Sequence, residues 1–506
     1  MKARLSLAIL LSLLLVACSN TFTTQTKEKV ILICHVTEKV EKECEIGSGK
    51  AGQPAVKGEG YRGIVTIPSS ANGYYIDAIG ESAFSGFAGM TSVVIPPSIT
   101  AIGDRAFMEC DGLTSVVLPS RVKTFGEGVF ASCKQLRMVR FRCPLERVSD
   151  HMFDGCELLQ ALELPKGVKS VGDYAFKDCR SLRELTLPSG VTSIGMEAFM
   201  GCQALEAMVI PEGVTTIGDG AFENCYNLVS IHIPASVKSI GTAAFRNCPR
   251  LVSITVDPEN KVFDSRNGCN AIVEHATDAI LVGCAKTRIP ATVTTIGDGA
   301  FAYSQGLTSL NLPPGMTGIG DQAFAHCPNL KSVSLPSSLT SIGETPFLGC
   351  NELSSISVNS ENPVFDSHNK CNAIIETHTN TLLYGCRNTT IPSVVTKIGP
   401  KAFAACQGLT SIRLHEGVKV VGEQAFANCS NLKGVSLPSS LSSIGDMAFS
   451  ECQALATLEV RMRRPPVIGT NTFRNSGKAK LLVPKGKKGE YLSANIWKDF
   501  ATIEEH

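Results

Sequence analysis

A single tryptophan occurs in 506 residues, and aromatic side chains make up only 6% of the chain. Neither sign of charge dominates, with 47 Lys and Arg against 46 Asp and Glu and a net charge of +1. Without a basic excess or interleaved aromatics, the chain lacks the electrostatic footprint of a nucleic-acid binder. There is no CxxC pair, no HExxH helix and no GxSxG elbow, so no catalytic residue, metal or cofactor is implied. GSGKAG at 47 to 52 fails as a phosphate loop: Cys44 stands where the first Gly belongs, and Ala51 replaces the hydroxyl residue. The nine His are scattered, and Asp104, Asp173, Asp219 and Asp298 recur as turn formers after a Gly.

What the chain has is a period. Val214 to Pro234 reads VTTIGDGAFENCYNLVSIHIP, and its Phe recurs at 84, 107, 130, 153, 176, 199, 222 and 245, always 23 apart. Steps of 56 lead to the sets 301, 324, 347 and 403, 426, 449, and Phe473 follows. A fixed period of this length marks a solenoid, whose units bury apolar surface only against their neighbours. Within the unit, Leu228, Ile231 and Ile233 fit a strand ended by Pro234. Val214 and Ile217 fit a second extended rung. The spacing of Ala221, Phe222 and Cys225 predicts one or two short helical turns facing inward.

This unit resembles the BspA-like leucine-rich repeats of bacterial surface proteins, roughly LxxIxLPxxLxxIGxxAFxxC, over about Gly63 to Phe473. The resemblance implies an α/β solenoid, a right-handed leucine-rich repeat array of 23-residue coils with short parallel strands and short helical turns.

Lys2 and Arg4 precede a largely apolar stretch, Leu5 to Ala17, which is too short to span a bilayer and reads as a signal peptide over 1–17. Leu15-Val-Ala-Cys18 resembles the lipobox of bacterial lipoproteins, which implies acylation of Cys18 and, with Ser19 next, the outer membrane. The alternative is an ordinary cleaved signal with an incidental Cys. Residues 18–29 read as lipidated Cys plus polar tether, and 30–62 as a β cap on the first coil. Two related insertions, 257–289 and 359–391, each pattern as a β-hairpin around a polar middle. Residues 474–506 read as a closing cap, with a strand, a short helix and Trp497 over the last coil.

Twelve of the 20 Cys fall three residues after the column Phe, where Phe87 or Ser304 also stands. They read as small core side chains rather than a metal ladder. In the insertions, a hairpin centred on Ala276-Thr277 or His378-Thr379 sets Cys269 opposite Cys284 and Cys371 opposite Cys386, which predicts two disulfides. Cys34 and Cys44 are a third candidate pair.

The exposed positions between the Leu and Ile columns form the candidate binding face. Repeats three to six concentrate its charge in Arg137, Arg140, Arg142, Glu163, Arg183, Glu184 and Glu206, and His232 follows. For any one of these, a solvated surface residue is the simpler reading. Together, a long shallow face suits an extended protein or glycan partner better than a small molecule. The resemblance implies a lipid-anchored surface protein, adhering to host matrix or cell-surface proteins or to other bacteria. A periplasmic or cell-envelope scaffold without a host ligand is the alternative, and a monomer is expected in either case.

Overall fold

The computed structural model describes residues 20–57, 60–476 and 479–506. The proposed signal peptide and Cys18 lie outside these residues. The chain divides into two compact units. One reaches Leu251 and includes Val256–Lys261; the other comprises Val252–Thr255 and Val262–His506. Each is a solenoid of coils with two rows of parallel strands.

In the first unit one row holds Met90–Val94, Ser115–Leu118 and Met138–Phe141, paired so that residues 23 apart face one another. The second row holds two-residue strands such as Arg147–Val148, Ser170–Val171, Ser193–Ile194 and Thr216–Ile217, again in register at 23. The alternating apolar positions face inward: Ile231 and Ile233 are buried while His232 between them is exposed. Between the rows runs the Phe column. Neighbouring rings from Phe84 to Phe245 lie 5.2–5.7 Å apart, with planes within 17°. The pitch between coils dictates that stacking, because each ring sits directly above its equivalent.

The expected helical turns are minimal among the described residues. Around Phe222 the chain makes two tight turns through left-handed residues, Gly220 (φ 58°) and Asn224 (φ 62°). The Gly220, Phe222 and Asn224 N–H groups donate to Thr242, Ala244 and Arg246 in the next coil at 2.9, 2.7 and 3.0 Å. An α-helix would turn those donors along its own axis, so the ladder between coils replaces it. Among the described residues, the one α-helix is Lys488–Ser493 in the closing cap.

At the start of the first unit, Thr21–Gln25 pairs antiparallel with Ile31–Glu38, which pairs with Glu43–Ile46. Glu43–Ile46 then runs parallel to Tyr74–Ile79 and joins the cap to the second row. The segment expected to be a polar tether, 18–29, therefore contains a five-residue strand. Its Thr alternation pairs with an apolar neighbour, and Phe22 lies 5.7 Å from the Tyr74 ring.

Both insertions, from Val262 onward in the case of the first, contribute to the second unit antiparallel pieces whose last strand enters the second row. Ala279–Val282 runs parallel to Thr295–Ile296, and Thr381–Gly385 to Lys397–Ile398. They extend the sheet instead of projecting from it. At the far end Lys480–Val483 and Thr502–Glu505 continue the first row. Trp497 is buried against Phe473, with its indole N–H donating to the Pro466 carbonyl at 3.0 Å.

Candidate functional site

Cysteine placement has a consistent chemistry in the repeats. Cys110, Cys133, Cys156, Cys179, Cys202, Cys225 and Cys248 each donate a thiol hydrogen bond, 3.0–3.2 Å, to the carbonyl of the Phe 26 residues back. These are core side chains that also tie each coil to the one before it. Burial holds the Cys179 and Cys225 thiols far above their ordinary range and pushes Cys248 up to about 12, so these three are not poised as nucleophiles.

The predicted disulfides are not formed; Cys34, Cys44, Cys269, Cys284, Cys371 and Cys386 are all free thiols. In the first insertion the expected register holds at Glu274↔Ala279 and Val273↔Ile280, and then a bulge moves it to Ile272↔Val282. One extra residue on the returning strand gives Cys284 a new neighbour, Asn270, whose carbonyl accepts its thiol at 3.7 Å. The second insertion repeats the bulge between Ile374 and Ile375, and Cys386 donates to the Asn372 carbonyl at 3.4 Å. Cys34 and Cys44 register with Ile46 and Val36, a diagonal placement, and share a thiol hydrogen bond. That hydrogen bond, together with burial, raises Cys34.

The recurring Asp residues act between coils and cap no helix. Asp219 Oδ1 accepts from the Thr242 N–H at 2.7 Å, and Asp173 and Asp298 do the same for Met196 and Asp321.

The eight residues expected on the binding face are all exposed along the first strand row. The fold brings four of them, Arg140, Arg142, Glu163 and Glu184, into one open groove of about 1210 Å³. Arg137, Arg183 and Glu206 stand just before their strands, outside that lining, and His232 lies further along the row. Lys166, which the sequence reading did not single out, lines the groove, and so does Met138, 54% exposed. Met138 was legible: Met138, Arg140 and Arg142 alternate with Val139 and Phe141.

None of the seven charged residues Arg137, Arg140, Arg142, Glu163, Arg183, Glu184 and Glu206 forms an ion pair or side-chain hydrogen bond within the described residues. Charges on the turn side of these and the following coils include paired ones. Lys177 meets Glu197 at 2.6 Å, and Arg246 meets Glu223 at 3.3 Å. The strand face therefore carries charge of both signs that the fold leaves unsatisfied.

Several solved structures are similar to this chain. A leucine-rich cell surface protein from Faecalibacterium prausnitzii A2-165 is 26% identical, with 87% of this chain and 94% of that one covered and a TM-score of 0.49. A leucine-rich repeat protein from Bacteroides ovatus is 23% identical, with 96% and 98% covered and a TM-score of 0.42. No curated protein sequence matches the chain. The BspA type leucine-rich repeat model matches residues 64–179, 146–269, 283–382 and 379–498, with six copies. With most of its length matched and the same 23-residue coil in both units, the chain belongs to the BspA-type leucine-rich repeat family.

Proposed function

We propose that the chain is a protein-binding module of the bacterial cell surface, held in the outer membrane by acylated Cys18. It recognises host matrix or cell-surface proteins, or the surfaces of other bacteria, and it is not an enzyme. The supporting observation is the set of seven exposed charges, four of them lining one groove, that have no side-chain partner among the described residues. Such groups remain hydrated until a partner of complementary charge arrives, and they give specificity and association rate more than bulk affinity. The groove is open and shallow, which suits an extended partner better than a small molecule. Only two residues, Ser19 and Asn20, separate Cys18 from the strand Thr21–Gln25. The cap would thus lie within about 10 Å of an acyl anchor at Cys18.

The test is a binding screen of the mature chain against purified matrix proteins and intact bacterial cells. Arg137→Glu, Arg140→Glu and Arg183→Glu are expected to weaken any binding found without lowering thermal stability. Binding that ignores all three changes would put the site elsewhere. Protease shaving of intact cells checks the location: complete protection of the chain would favour an envelope scaffold facing the periplasm.

A further inference from the structure

We propose that Glu212, His232 and Asp257 form a binding site for a divalent transition-metal ion on the exposed strand face of the first unit. One ligand atom from each, the imidazole nitrogen and two carboxylate oxygens, lies within 4.8 Å of the others. A tetrahedral ion about 2.0–2.2 Å from each donor sets the donors about 3.3–3.6 Å apart, so a modest rotation of these side chains closes the set onto one ion. One nitrogen with two oxygens suits Zn²⁺, Fe²⁺, Mn²⁺ or Co²⁺, whereas Ca²⁺ and Mg²⁺ prefer all-oxygen shells. Three protein ligands leave at least one position open to water or an incoming donor.

The three residues come from unrelated columns of the repeat. Glu212 follows the strand Ala207–Met208, His232 lies within Ser230–Ile233, and Asp257 stands where two preceding coils have Pro211 and Pro234. Their spacings of 20 and 25 residues do not match the 23-residue period, so repetition does not account for their meeting.

The chain supplies its own comparison. The second insertion repeats the first 102 residues later, and the equivalent positions are Pro314, Ser334 and Asn359. All three ligands are absent there. The local fold survives the change: Asp257 Oδ1 accepts from the Glu259 N–H at 2.7 Å, and Asn359 Oδ1 accepts from Glu361 N–H at 2.9 Å. The turn therefore needs a side-chain carbonyl but no charge, and one Asp257 oxygen remains beyond what the turn uses. Likewise Ser334 fills the strand position that His232 fills. What the first copy adds is a set of metal donors. The site does not depend on the binding reading above, because its ligands lie outside the groove residues.

The experiment is calorimetric titration of the reduced mature chain with Zn²⁺, paired with Co²⁺ absorption spectra. His232→Ser and Asp257→Asn install residues that the second copy already carries at the same places, so both variants are expected to fold. The expected result is one saturable site in the unaltered chain, weakened by at least about tenfold in each variant, the scale set by losing even an outer-shell partner of a metal ligand. The Co²⁺ spectrum should show d–d bands without thiolate charge transfer. Absence of saturable binding, equal affinity in the variants, or thiolate charge-transfer bands on the bound metal would each overturn the site.

Discussion

The Cys225 thiol donates to the Phe199 carbonyl, one coil back, at 3.2 Å, and that carbonyl also accepts the Cys202 N–H at 3.1 Å. Apart from the half-buried Cys406, each column Cys thus fills the core and closes a contact between coils. Cys225→Ala should destabilise the first unit by about 1–2 kcal/mol, combining a small cavity with one lost hydrogen bond. Urea unfolding followed by far-UV circular dichroism measures it. A variant as stable as the original would reduce the thiol to inert filler.

Alkaline pH acts on several column thiols at once. Burial raises Cys179, Cys225 and Cys429 far above their ordinary range and brings Cys248 and Cys452 to about 12. The folded protein therefore keeps its thiol protons where the unfolded chain, titrating near about 8.5, releases them. Stability from this source is fully present below about pH 8.5 and is lost as pH rises toward about 12, at about 1.4 kcal/mol per pH unit for each such thiol. Urea midpoints measured from pH 7 to 11 should fall progressively above pH 8.5. Midpoints that stay level across that range would contradict the buried, protonated column.

Phe176 stands between Phe153 and Phe199, 5.4 and 5.3 Å from their ring centres, with none of its surface exposed. Phe176→Ala should cost about 3–5 kcal/mol, because the rigid coils above and below cannot collapse onto the gap. Val209→Ala, just after the strand Ala207–Met208 and 77% exposed, should change stability by less than about 0.5 kcal/mol. Thermal melts of both variants give the comparison, and equal effects would mean the stacked rings do not hold the unit together.

The Phe column and the Leu and Ile rungs were readable in the sequence because burial repeats at a constant interval, and the repeat unit predicts both strand rows. The helical turn was misread because Ala221, Phe222 and Cys225 have a spacing shared by a helix and by a turn whose N–H groups bond to the next coil; only the neighbouring coil decides between them. The insertion disulfides failed on one residue: the bulge between Ile272 and Val273 is invisible in an apolar alternation, yet it replaces Cys269 with Asn270 opposite Cys284. The charged groove was legible as residue types 23 apart, while the meeting of Glu212, His232 and Asp257 was hidden by their different columns.

Trp497 reports on the closing cap alone, being the single tryptophan of the chain. It is 1% exposed, stands edge-on to Tyr491 at 5.5 Å and to Phe473 at 5.8 Å, and donates its indole N–H to Pro466. Its native emission should therefore be blue-shifted and poorly quenched by acrylamide. A solenoid end coil exposes its apolar core unless a cap covers it. Trp497→Ala should remove about 3–5 kcal/mol from the second unit and uncover Phe473 and Leu481, which raises binding of a hydrophobic dye before the main circular-dichroism transition. In the unaltered chain, emission should shift to the red at or below the denaturant concentration at which that transition occurs. Solvent-like emission in native buffer, or a Trp497→Ala chain that melts unchanged without binding dye, would show that the indole does not cover the last coil.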